Sequence, residues 1–269
     1  MIKFLLTSFF LLCTFSSTAL ASERLLVAVT TSTENSGLLD YLQPKIQKDL
    51  GFRPEFIVTG SGKALKLGKN KDVDLVWVHD PEAETDFMTA GHGLSHHKVM
   101  YNRFFLIGPK ADPAQAKTAA NILEALQRIA ISQSLFVSRG DDSGTHRREQ
   151  SLWRSLDSEH RVLQQKARDW YLEAGSGMGA TLNTATAMNA YTLVDEATWL
   201  KSGNTDRLSI MVEQDRRLRN PYGIIVVANT ERLEATRKAK ILQNWLVSAR
   251  GQAAIFAYRI HGKQGFFAL

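Results

Sequence analysis

Cysteine is almost missing from this chain. The only one, Cys13, lies inside the apolar stretch from Phe4 to Phe15, so disulfide staples and thiol chemistry are excluded from everything that follows. No apolar run reaches the roughly 18 to 20 residues that a membrane helix needs. The opening MIKFLLTSFFLLCTFSSTALAS carries one lysine, a short apolar core, and Ala19 and Ala21 two apart, which predicts a secretory signal peptide (residues 1–21) cut after Ala21. Internal repeats, low-complexity tracts and flexible linkers are lacking as well. Basic and aromatic residues are nowhere interleaved, so the net charge of +6 favours an anionic ligand without pointing to a nucleic-acid binder.

What remains after the leader is about 250 residues, enough for one large domain or for two lobes with a cleft. Arg24–Val29 is a short, nearly continuous apolar run of the kind buried in a parallel sheet. It stops at the polar turn Thr30–Thr33, after which Leu38, Leu39, Leu42 and Ile46 follow at helical spacing. The pattern repeats at Phe56–Val58, Thr59–Gly62 and a helix from Ala64. It repeats again at Val73–Val78, followed by His79-Asp80-Pro81 and an acidic first turn suited to the positive end of a helix. Strands alternating with helices predict an α/β fold with mostly parallel sheets.

Further on, Val99–Gly108 and Tyr222–Val227 are longer strand-like runs. Between them lie an amphipathic helix through Ile122–Ala130, a strand at Leu135–Val137, a helix opening at Ser143, a strand at Trp170–Leu172, and a glycine-rich loop leading to a helix over Leu182–Asn189. The segment from Glu231 to Tyr258 is predicted helical, with Leu233, Ile241, Trp245 and Leu246 facing inward.

Three polar turns therefore follow three short strands: Thr30–Thr33, Thr59–Gly62 and Ser138–Thr145. In an open α/β sheet such turns gather at the carboxyl ends of the strands, and each opens a helix whose free N–H groups point outward. Hydroxyls, glycines at 60, 62, 140 and 144, and the guanidinium of Arg139 make a donor set for a small oxyanion. Each turn by itself is also a common helix cap. The segment SRGDDSGTH, residues 138–146, carries more polar chemistry than capping requires, which favours an anion cradle of Arg139, Ser143 and Thr145. Facing carboxylates would repel the anion, so one of Asp141 and Asp142 is expected to orient Arg139 while the other caps the helix.

Enzyme motifs fit poorly. Gly60-Ser61-Gly62-Lys63 resembles the end of a P-loop, but Ile57 stands where the first glycine belongs and Ala64 where the metal-binding hydroxyl belongs. Ser143 lacks a nucleophile elbow, since residue 141 is Asp. His92 and His96 are spaced as helical metal ligands, yet Gly91 and Gly93 would break a helix there and a solvated loop is expected. Trp77 and Phe87 are expected in the core, and Gly265-Phe266-Phe267 packs the tail.

The segments TTSTENSGLLDYL, GSGKAL, DLVWVHDPEAE, VMYNRFFLIGP, FVSRGDDSGTH, WYLEAGSGMGATLN, AYTLVDEATWL and NPYGIIVV, in this order over nearly the whole mature chain, resemble the tungstate-binding proteins of ABC importers. That resemblance implies a two-lobed periplasmic binding protein of type II topology, each lobe a mostly parallel sheet flanked by helices. One lobe is residues 22–105 plus 221–269, and the other is 106–220. It implies a monomer without catalysis or cofactor that holds tungstate or molybdate by hydrogen bonds and delivers it to a membrane permease. Carried onto this chain, the family's pattern places Thr31 and Ser32 in the first turn and Ser61 in the second. It places Arg139, Ser143, Gly144 and Thr145 in the third, and Thr181 in a fourth loop. Asp141 and Asp142 stand behind them. Lys63 stands where the family has Gln and adds a charge.

Two other readings compete. Phosphate receptors use a similar Arg-x-Asp-x-Ser-Gly-Thr segment, but hydrogen phosphate is itself a donor and needs an acceptor carboxylate, for which Asp80 or Asp141 could serve. A secreted hydrolase would use Ser143 or Ser61 as nucleophile.

Overall fold

The computed structural model describes residues 24–156, 169–203 and 205–268, so the signal-peptide segment lies outside the described residues. The first strand, β1 (Leu25–Thr30), is flanked by β2 (Pro54–Thr59) and β3 (Leu75–Val78), both parallel to it. Between these strands run the helices α1 (Thr31–Ser36), α2 (Leu38–Leu50) and α3 (Ser61–Lys69). β2 is the sheet's edge, which explains why Phe56–Val58 is only half covered although apolar. α4 (Pro81–Thr89) starts as expected, with Pro81 in its first turn and the Asp80 carboxylate accepting from the Ala83 N–H.

Two long strands cross between the lobes. β4 (Gly93–Pro109) pairs antiparallel with β9 (Arg219–Val227) through residues 93–103, then with β7 (Thr192–Asp195) and β8 (Leu208–Val212) through residues 104–109. β9 also pairs antiparallel with β3, and the C-terminal β10 (Phe267–Ala268) with β4. β5 (Phe136–Ser138) and β6 (Tyr171–Glu173) form a separate parallel pair, flanked by α5 (Ile122–Ser132) and α6 (Gly144–Ser155). The sheets are thus mixed: among the described residues parallel strand pairing joins β1 to β2 and β3 and β5 to β6, with one further parallel bridge from Phe136 to Tyr191, while the crossing strands pair antiparallel.

Four apolar clusters sit on the faces of these sheets. Two are built from residues such as Val27, Leu42, Trp77, Ile224, Trp245 and Phe266, or Ala28, Ala64, Val76 and Ile225. The other two draw on Leu126, Phe136, Trp153 and Tyr191, or Phe105, Val137, Leu182 and Val194, from the chain between the crossings. Where one group gives way to the other, Asn220 donates from Nδ2 to the Asn102 side-chain oxygen at 2.7 Å, both residues buried. A polar pair there leaves the strands paired without fusing the two cores.

Several expectations change. Residues 93–97 are strand and not a solvated loop, with His96 Nε2 hydrogen-bonded to Glu84 Oε2 at 2.8 Å. The C-terminal helical segment is two helices, Leu233–Val247 and Ala249–Ala257, and Leu233 faces solvent at the first one's start. Trp77, Phe87 and Phe266 are buried in the core.

Candidate functional site

The strand ends build the site from local chemistry. Thr30 caps α1, its hydroxyl accepting from Thr33 N and lying 2.8 Å from the Thr33 hydroxyl. Gly60 caps α3 with no side chain of its own, which leaves Ser61 at the helix start. Ser61 Oγ is buried and has no hydrogen-bond partner among the described residues, an uncommon condition for a hydroxyl. Ser143 caps α6 by accepting from His146 N at 3.3 Å. A further helix, Met178–Met188, begins with Gly177 as its cap.

Thr31, Gly60, Gly62, Arg139, Asp141, Gly177, Gly179 and Ala180 line one cleft, so four separate turns meet. Lys63 and Lys66 line the same cleft as exposed side chains. Arg139 is buried; its Nε donates to Asp141 Oδ2 at 2.9 Å and its Nη1 to Thr145 Oγ1 at 3.4 Å. The other Asp141 oxygen accepts from Ser143 N at 3.1 Å, so a single carboxylate both orients the guanidinium and ties down the turn before α6. Gly140 has φ +63 and a side chain there would meet Glu173 within 2.8 Å, so the turn requires glycine.

Some predicted residues take other roles. Asp142 does not cap the helix; it sits at φ +55, and its two oxygens accept from Arg147 Nε and Nη2 at 3.0 and 2.9 Å. Thr181 is buried, and its hydroxyl donates to the carbonyls of Ser176 and Gly177 at 3.3 and 3.2 Å, within its own helix start. From that turn it is Gly177, Gly179 and Ala180 that line the cleft. Ser32 is buried and lies 3.1 Å from the Thr30 hydroxyl and 3.2 Å from His79 Nε2. Gly144 is packed against an imidazole: a Cβ there would lie 2.6 Å from His79 Cε1.

His79 and Arg147 were absent from the residues assigned by sequence. His79 follows β3 directly, one residue past the strand end, and that placement in a strand-end turn is the available signal. Burial, reinforced by the charge of Arg139, pushes His79 from 6.5 down to about 4, so the imidazole is neutral at neutral pH. Arg147 reaches into a pocket adjoining the cleft, its Nη1 donating to Asp80 Oδ2 at 2.9 Å.

Behind the Arg139 turn, Glu149 of α6 is buried and accepts from Ser138 Oγ at 2.7 Å, Tyr171 Oη at 2.6 Å and Trp153 Nε1 at 3.2 Å. Burial raises its carboxyl to about 7 in spite of these donors. Neither Ser61 Oγ nor Ser143 Oγ is hydrogen-bonded to an imidazole among the described residues.

Two sheets joined by two crossing strands, with four helix-opening turns meeting in the cleft between them, define the class of two-lobed binding proteins. Residues 16–250 match the model of the PBP superfamily domain. The chain belongs to that superfamily and, within it, to the family of the TupA tungstate-binding proteins. It is 40% identical over 252 residues to the tungstate-binding protein TupA of Peptoclostridium acidaminophilum, covering 92% of this chain and 85% of that one. Among solved structures, the tungstate-binding protein TupA from Desulfovibrio alaskensis G20 is similar at 39% identity and a TM-score of 0.79, covering 91% of this chain and 98% of that one. The tungstate ABC transporter structure from Geobacter sulfurreducens is similar at 40% identity and a TM-score of 0.77, covering 88% and 99%.

Proposed function

We propose that this protein captures tungstate or molybdate outside the cytoplasm, as a monomer freed of its signal peptide, and hands the ion to the permease of an ABC importer. The names of its relatives support the ligand and the transporter class. The observation that carries the reading is the state of the carboxylates around the cleft. A fully deprotonated oxyanion only accepts hydrogen bonds, so its site needs donors and no unengaged acceptor. Asp141 accepts from Arg139 and Ser143 N and Asp142 from Arg147, while Asp80, in the pocket adjoining the cleft, accepts from Arg147 and Ala83 N. Donors are left over: the Ser61 hydroxyl, the Arg139 Nη2 hydrogens and the backbone amides that open α1, α3, α6 and the Met178–Met188 helix.

In this reading Thr31, Ser61, Arg139 and the hydroxyl protons of Ser143 and Thr145 contact the anion. Asp141 and Thr181 hold the turns, and Ser32 acts through His79. Gly144 supplies an amide and the space for the imidazole. The lobes, residues 22–105 with 221–269 and residues 106–220, close by a hinge in the crossing strands near the Asn102–Asn220 pair.

Phosphate is disfavoured because both of its candidate acceptors, Asp80 and Asp141, are engaged elsewhere. Titration calorimetry tests the proposal. Heat is expected with tungstate and not with phosphate at the same concentration, and the reverse result overturns it. Native mass spectrometry of the purified protein is expected to find a heavy oxyanion bound.

A further inference from the structure

Arg147 makes three hydrogen bonds to two carboxylates, Asp142 on the cleft and Asp80 in an adjoining pocket that His79, Gly144 and Arg147 itself also line. Its Nε and Nη2 hold both oxygens of Asp142, in the Arg139 turn, while its Nη1 holds Asp80 Oδ2, at the start of α4. A side chain at Gly62, in the first turn of α3, would lie 3.0 Å from Arg147 Nη2, so this guanidinium also packs against the start of that helix.

The two carboxylates differ in a way that matters for selection. Asp142 is 77% exposed and Asp80 only 8%, so without Arg147 the first would be solvated by water and the second left as a desolvated acceptor beside the cleft. Asp80 Oδ1 is already held by Ala83 N, which makes Oδ2 the atom whose state Arg147 decides. An acceptor of this kind welcomes an O–H of a protonated oxyanion and repels one that carries none.

We propose that Arg147 is a specificity-determining residue: by engaging Asp80 it withdraws the acceptor that a proton-bearing oxyanion would need, and so reserves the site for a fully deprotonated one. This rests on the oxyanion-binding reading above. Arg147 needs no contact with the ion to act; it sets what the neighbouring carboxylate can do, and it ties the lobes together at the same time.

Dissociation constants of the mature protein for tungstate and for phosphate, measured by calorimetry near pH 7.5, test the assignment. In Arg147→Gln, tungstate is expected to bind more weakly and phosphate more tightly, so that the ratio of the two constants narrows by at least about tenfold. Adding Asp80→Ala should return that ratio to within about threefold of wild type, since the freed acceptor is then gone; a role in folding alone would not produce such a reversal. If Arg147→Gln does not fold, Arg147→Met keeps the packing of the stem and carries the same expectation. An equal weakening for both anions, or a relaxed ratio that persists without Asp80, overturns the role of Arg147. A wild-type protein that binds phosphate in preference to tungstate overturns the proposed function instead.

Discussion

Two buried groups next to the anion cleft titrate in opposite directions over nearly the same pH range, and separating them tests the electrostatics of the site. Glu149 keeps its proton up to about 7 in the folded protein against 4.5 in an ordinary carboxyl. The folded state therefore binds more protons than the unfolded chain between 4.5 and 7, and stability falls as the pH rises through that window. The shift amounts to about 3 kcal/mol at about 1.4 kcal/mol per pH unit, and Glu149 is buried, so solvent screening takes little from it. His79 does the reverse. It refuses a proton until about pH 4, whereas the unfolded imidazole takes one near 6.5, so stability falls as the pH drops through that interval, again by about 3 kcal/mol.

Between 4.5 and 6.5 the two contributions nearly cancel in the wild-type protein. Glu149→Gln removes one of them. Relative to wild type, that variant should gain about 3 kcal/mol of stability between pH 4.5 and 7.5, or about 6 to 12 °C in thermal midpoint for a chain of this size. His79→Gln should show the opposite trend against wild type, losing its relative advantage as the pH rises from 4 to 6.5. Urea unfolding followed by tryptophan fluorescence at pH 4.5, 5.5, 6.5 and 7.5 supplies the difference profiles. A flat Glu149→Gln difference profile, or one of opposite slope, refutes the burial argument for this carboxyl.

Two more outcomes follow from the cleft. Arg139→Ala removes a buried charged donor worth about 1.5 to 3 kcal/mol and leaves Asp141 without its partner, so the tungstate dissociation constant should rise about a hundredfold; calorimetry within threefold of wild type would mean that the anion sits elsewhere. Ser61→Ala deletes a buried hydroxyl that has no partner among the described residues, so the ligand-free thermal midpoint should hold or rise while affinity falls about tenfold. A fall in midpoint with unchanged affinity would make Ser61 a packing residue.

Much of this site was legible because it is local. A strand end, a hydroxyl or glycine cap and a helix start lie within a few residues of each other, and the Arg139–Asp141 pair is two residues apart. Contacts between distant segments were not legible. Arg147 and Asp80 are 67 positions apart, and nothing in HRREQ distinguishes an arginine that bridges two lobes from one on a solvated helix face. The same holds for Gly144, whose requirement for glycine comes from the imidazole of residue 79 and not from its own turn. Thr181 illustrates a different limit: a threonine near a helix start has the same sequence signature whether its hydroxyl faces a ligand or bonds back to a carbonyl four residues earlier. Residues 93–97 misled because glycines at 91 and 93 that break a helix are equally compatible with a turn entering a strand, and the pairing with β9 decides between them. The short strands β7 and β8 escaped notice because four or five residues give too little periodicity.

The balance of charge at the cleft explains why so much of the donor set is backbone. Arg139 is largely offset by Asp141 at 2.9 Å, Arg147 by Asp80 and Asp142, and His79 is held neutral by burial. Apart from Lys63 and Lys66, which line the cleft as exposed side chains, the side chains thus bring little net positive charge to a dianion. The three longer helices that open at the cleft, Ser61–Lys69, Gly144–Ser155 and Met178–Met188, each carry about half a positive charge at the N-terminus, about +1.5 together. Such partial charges are fixed by the fold, cannot be lost by titration and accept no hydrogen bond. A site that relies on them can bind a dianion strongly while presenting nothing to a donor, and this is the property that a stronger but unpaired set of lysines and carboxylates would lack.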